Sequence, residues 1–164
     1  RSLYVNQGAL QGPPQNASLS TLASGELMTG YLGGAYRATD YIRLDWQAAY
    51  SRLDAALASQ SSSQFDIRAT LRLEFAPPFA DMPRRWGIAP YVRFTSLAFG
   101  GPNPLVDPGV VRRDTLWTEG VLFTAPITSW FGFVGNIEFA HNSSNLPNYR
   151  TQDFSVSLGP IAKF

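Results

Sequence analysis

The chain has 164 residues, enough for one domain and too few for two with separate cores. It holds no cysteine and one histidine, which excludes disulfides, thiolate chemistry and cysteine-bound zinc, leaves no basis for a histidine-built metal site, and predicts no cofactor. A formal net charge of +1 gives no basic face for nucleic acid, and no run of about 18 apolar residues exists to cross a membrane as a helix.

In chain order the sequence reads as alternating segments separated by turn-rich stretches. Ser2 to Asn6 forms a short first strand, too brief to span a bilayer, followed by a connection from Gly8 to Gly25. The next strand runs from Leu27 to Arg37, where Gly30, Gly33 and Gly34 read as strand glycines. After a tight turn at Ala38 to Asp40, Ile42, Leu44, Trp46, Ala48 and Tyr50 oppose Arg43, Asp45, Gln47 and Ser51. A connection from Ala55 to Gln64 leads to the clearest strand, Phe65 to Phe75. There Phe65, Ile67, Ala69, Leu71, Leu73 and Phe75 alternate with Asp66, Arg68, Thr70, Arg72 and Glu74.

The proline-rich stretch Ala76 to Arg85 precedes a strand from Trp86 to Phe99 that carries Arg93. The connection Gly100 to Arg112 contains the turn Asp107-Pro108-Gly109. In the strand Arg113 to Ala125, turning Trp117, Val121 and Phe123 toward hydrocarbon would carry Glu119 with them. Leu116, Gly120 and Leu122 are therefore expected outside with Glu119 inside, or a bulge resets the register. After Pro126, the strand Ile127 to His141 sets Phe131, Phe133, Gly135, Ile137 and Phe139 against Gly132, Val134, Asn136 and Glu138. The connection Asn142 to Arg150 leads to the last strand, Asp153 to Phe164, with Phe154, Val156, Leu158, Pro160, Ala162 and Phe164 on one face.

That last strand resembles the C-terminal assembly signal of bacterial outer-membrane β-barrels. Its polar residue, glycine, hydrophobic residue and final aromatic fall on Ser157, Gly159, Ala162 and Phe164, with a small Ala162 and a donor-less Pro160 as departures. The final third, through Ser144-Asn145 and Tyr149, is similar to the C-terminal hairpins of larger proteobacterial envelope barrels. The resemblance implies an all-β, antiparallel up-and-down transmembrane barrel of about eight strands, spanning residues 1–164 as one domain. It is either a complete small barrel or the C-terminal part of a larger one. It also implies the bacterial outer membrane as location, with the C-terminus periplasmic. The implied partners are outer-membrane lipid and lipopolysaccharide, the barrel-assembly machinery and other envelope proteins, and no nucleic acid.

Counting back from Phe164 places the connections Gly8–Gly25, Ala55–Gln64, Gly100–Arg112 and Asn142–Arg150 outside the cell and the other three in the periplasm. Aromatic residues then form two girdles: Tyr41, Phe75, Trp86, Trp130 and Phe164 near the inner rim, and Tyr50, Phe65, Phe99 and Phe139 near the outer one. The competing architecture is a soluble sandwich or lipocalin-like barrel, with the same apolar rows in a dry centre.

The lumen would be lined by Arg43, Asp45, Asp66, Arg68, Arg72, Glu74, Arg93 and Glu138, together with Glu119. In an eight-stranded barrel these residues form a salt-bridged filling; in a larger one they line a water-filled pore. The expected function is non-enzymatic: a pore, an export channel or a membrane anchor of an envelope assembly. An enzymatic alternative comes from His141-Asn142-Ser143, which resembles the His-x-Ser pattern of outer-membrane lipid A deacylases. It implies Ser143 as nucleophile and His141 as its base. Strand parity opposes a complete triad, because Asp153 and Glu138 point inward and the outward neighbour of His141 is Gln152.

Overall fold

Alternation of polar and apolar residues with a period of two commits most of this chain to strands. In the computed structural model, which describes residues 25–78 and 84–162, seven strands form one sheet. They are β1 (Gly25–Arg37), β2 (Ile42–Ala55), β3 (Ser62–Phe75), β4 (Trp86–Phe99), β5 (Arg113–Pro126), β6 (Phe131–Ser144) and β7 (Thr151–Ala162). Each pairs antiparallel with the next, in sequence order, and no α-helix occurs among the described residues. The predicted strand at Ser2 to Asn6, and Phe164, lie outside the described residues.

Short connections enforce this meander, since a chain that reverses within a few residues must pair with itself. At 38–41 the amides of Ala38 and Thr39 bond the carbonyl of Ile42, and Thr39 Oγ1 accepts from the amide of Tyr41. The same device recurs at 127–130: the amides of Ile127 and Thr128 bond the Phe131 carbonyl, and Thr128 Oγ1 accepts from Trp130 and Phe131. The β6 strand therefore begins at Phe131 rather than at Ile127, because residues 127–130 are consumed by the turn.

The two faces differ sharply. Residues of β2 through β7 line a single cavity, so the sheet curls around one face. The opposite, convex face carries Leu44, Trp46, Tyr50, Phe65, Ile67, Ile137, Phe154 and Leu158, all exposed. Apart from Glu119, the charged strand residues of that face, Glu26, Arg52, Asp54 and Arg113, sit toward the end bearing connections 56–61, 100–112 and 145–150, here the loop end. Buried hydrophobic residues are few and small, Ala89, Ala125 and Leu146, and no large side chain is fully buried among the described residues. The described residues thus form no dry apolar centre.

Two expected placements are corrected. The β5 ladders run without a bulge from Gly87↔Thr124 to Ala98↔Arg113 and from Asp114↔Ser144 to Pro126↔Gly132. Asp114, Leu116, Thr118 and Leu122 consequently face the cavity, while Glu119 joins Trp117, Val121 and Phe123 on the convex face, opposite Val92 and Phe139. Turning Glu119 inward would expel Asp114, Thr118 and Thr124, so the whole strand outvotes one carboxylate. Phe99, expected in the outer girdle, lines the cavity instead, because it shares its face with Tyr91 and Arg93, and the Arg112 guanidinium lies 4.9 Å from its ring centre.

Candidate functional site

The polar alternation of β2, β3, β4 and β6 delivers Arg43, Asp45, Asp66, Arg68, Arg72, Glu74, Arg93 and Glu138 to the concave face, as their parity predicts. Of these, Arg68, Arg72, Arg93 and Glu138 line a cavity of about 920 Å³. Opposition across the ladders brings like charges together: Arg43 faces Arg72, and Arg68 faces Arg93. Carboxylates one pair along relieve the crowding. Asp45 accepts from Arg43 at 2.7 Å and from Arg72 at 2.7 Å. Asp66 accepts from Arg93 at 2.6 Å and from the Thr95 hydroxyl at 2.7 Å.

A second network crosses three strands. Tyr91 on β4 faces Gly120 on β5, which in turn faces Glu138 on β6. A Cβ at Gly120 would come within 2.6 Å of the Tyr91 ring and hydroxyl, so only glycine lets the phenol lie across β5. Its hydroxyl donates to Glu138 at 2.5 Å and to Asn136 at 3.3 Å. Arg68 completes the network from the other side, its guanidinium 5.2 Å from the Tyr91 ring centre. Tyr91 and Gly120 escaped the sequence reading because their partnership depends on register; the signal was an aromatic on the polar parity of its strand, level with a glycine on the next.

The loop end is tied shut at its margin. Arg112 bonds the buried Asp114 at 2.5 Å and stacks on Tyr149, 3.5 Å from the ring centre. Asn145 bridges the same two connections, accepting from the Arg113 amide and donating to the Val111 carbonyl.

Protein-family models, curated proteins and solved structures contain no match to this chain.

Tyr41, Phe75, Trp86 and Trp130 gather at the turn end, and on the convex face Tyr50, Phe65 and Phe139 lie nearer the loop end. Cross-strand ring pairs reinforce these rows, Trp86 with Phe123 at 5.6 Å and Phe94 with Trp117 at 4.9 Å. His141 and Ser143 also lie there. The imidazole Nε2 is 2.9 Å from Ser143 Oγ, and Gln152 Nε2 is 3.2 Å from Nδ1. Asp153 lines the cavity on the other side of the sheet, so His141 has an amide rather than an acid behind it. Of the residues in the C-terminal motif, Ser157 and Gly159 share the concave parity and Ala162 the convex one.

Proposed function

We propose that this chain is a bacterial outer-membrane β-barrel, whole or in part, that serves as a non-enzymatic pore for hydrophilic solutes. One observation carries the reading: the apolar rows of β2 to β7 point away from the cavity and stand largely exposed, while the charged and hydroxyl rows of β3 to β7 point into it, interspersed with Leu97, Leu116 and Leu122. An exposed apolar face of this extent has no stable place in water, whereas acyl chains would cover it. Strands of 12 to 14 residues exceed the roughly 9–11 needed to cross a bilayer.

Strand direction sets what would close the sheet. In a seven-stranded meander β1 and β7 run the same way, so joining them directly would make one parallel seam. An odd number of further strands, running opposite to both edges, makes every pair antiparallel and leaves no unpaired backbone in lipid. A complete eight-stranded barrel and the last part of a larger one both satisfy that rule. The cavity supports a wet interior rather than a filled one, and so a pore or export channel over a mere anchor. The Ser157, Gly159, Ala162 and Phe164 motif would direct delivery by the barrel-assembly machinery, with the C-terminus periplasmic and lipopolysaccharide against the convex face.

Current across planar bilayers containing the purified protein tests the pore. Stepwise conductance supports it; a folded, membrane-inserted protein without current leaves only the anchor. A monomer well folded in buffer without detergent would sink the membrane assignment.

A second reading rests on the 2.9 Å contact between His141 and Ser143 on the lipid-facing side. Ser143 would attack an ester carbonyl of lipid A as His141 takes the hydroxyl proton and passes it to the departing sugar alkoxide, water then freeing the fatty acid from Ser143; Gln152, with its amide turned so that the oxygen meets Nδ1, would orient the ring. Release of fatty acid from lipid A, lost in Ser143→Ala, would establish it; equal release by both proteins would dismiss it.

A further inference from the structure

The charges around the cavity are not evenly balanced from wall to wall. Three of its four arginines bond an aspartate: Arg72 to Asp45, Arg93 to Asp66 and Arg112 to Asp114. Among the described residues Arg68 has no carboxylate partner, and it rests on the Tyr91 ring. On the other wall, among the described residues, Glu138 receives the neutral Tyr91 hydroxyl and no cation, and Asp153 has no hydrogen-bond or ion-pair partner. Arg68 and Asp153 occupy one ladder row, Arg68↔Arg93↔Thr118↔Ala140↔Asp153, with small Thr118 and Ala140 on the β5 and β6 positions between them. Four strand spacings of about 4.8 Å separate the two along the sheet. The curl brings both to the same cavity.

We infer that the cavity takes a zwitterionic solute of the amino-acid or short-peptide class, its carboxylate on Arg68 and its ammonium on Asp153 and Glu138. The inference rests on the water-filled interior proposed above and adds the solute class. An anion would meet one favourable wall and one repulsive one, and so would a cation; only a molecule carrying both charges answers both walls. The guanidinium offers a planar fork matched to a carboxylate. Asn136, beside Glu138, supplies a side-chain amide to the same ligand.

Calorimetric titration of the purified full chain in detergent micelles tests this, with glycylglycine, its N-acetyl derivative and its C-terminal amide as probes. Glycylglycine is expected to bind about ten- to a hundredfold more tightly than either blocked form, the effect of one charge-assisted hydrogen bond. Arg68→Gln should weaken glycylglycine and the N-acetyl form by that factor and leave the amide unchanged; Asp153→Asn should do the reverse. Arg68→Lys, which keeps the charge and loses the fork, gives the same pattern with a smaller loss and serves if the glutamine variant does not fold. Equal affinity for the three probes, no binding of any, or a uniform loss in the variants overturns the inference. Binding is read without current, so a protein that binds the dipeptide and carries no current keeps this site and loses the pore, and a conducting protein blind to the dipeptide does the opposite.

Discussion

Gly120→Ala tests the cross-strand network most directly. The new Cβ would stand 2.6 Å from the Tyr91 ring and hydroxyl and 2.6 Å from the carbonyl oxygen of Ile137. The carbonyl belongs to a laddered strand and cannot retreat, so the phenol must swing away and break its bond to Glu138. Overpacking contributes about 1–3 kcal/mol, and loss of a hydrogen bond to a carboxylate about 1.5–3 kcal/mol, giving a destabilisation of about 2.5–6 kcal/mol. Equilibrium unfolding in guanidinium of protein reconstituted in lipid, followed by tryptophan fluorescence, measures it. Because the substitution acts through Tyr91, Tyr91→Ala combined with Gly120→Ala should cost at least about 1 kcal/mol less than the sum of the single changes. A Gly120→Ala cost under about 0.5 kcal/mol, or strict additivity, would refute the reasoning.

Three further outcomes follow from the same geometry. Glu119→Leu removes a carboxylate from the convex apolar face and should stabilise the protein in lipid vesicles by about 1–2 kcal/mol, whereas a face bathed in water would show no gain. Arg112→Ala strands Asp114, whose side chain is 6% exposed, and should cost about 3–5 kcal/mol in the same unfolding measurement, part of it restored by adding Asp114→Asn. Asp45→Asn frees the half-exposed Arg43 and Arg72 together; stability should change by under about 1 kcal/mol, while the reversal potential in a salt gradient shifts toward anions.

Much of the fold was legible because strand parity is a local property. The rows Ile42 to Tyr50 and Phe65 to Phe75 set polar residues against hydrocarbon with Ala49 as the one departure, and the structure pairs them face to face through Tyr50↔Phe65 and Gln47↔Arg68. The β5 strand misled because a single acidic residue, Glu119, was weighed above Asp114, Thr118 and Thr124, which together fix the register. Phe99 misled for a related reason: an aromatic at a strand end resembles a girdle residue until the parity of Tyr91 and Arg93 is counted. Ion pairs two residues apart on one face, such as Arg43 with Asp45, follow from parity, but the cross-strand pairs lay beyond sequence reading. Whether Asp66 serves Arg68, its neighbour on β3, or Arg93 on β4 depends on the stagger of two strands, and the structure gives it to Arg93. The same stagger decides that Arg68 is left over, which is the basis of the solute class inferred here.

The knot formed by Arg112, Asp114, Tyr149 and Asn145 changes what the long connection 100–112 can do. Its glycines and prolines suggest a free whip, yet its returning limb is moored to the neighbouring hairpin, and Gly100 is moored through its amide to the Ser61 carbonyl. Only the tip around Leu105, 95% exposed, projects unsupported. Among the described residues, whatever approaches from that side meets a braced rim with Leu105 as its most exposed greasy contact, so the touching falls to that side chain while the limbs behind it are held.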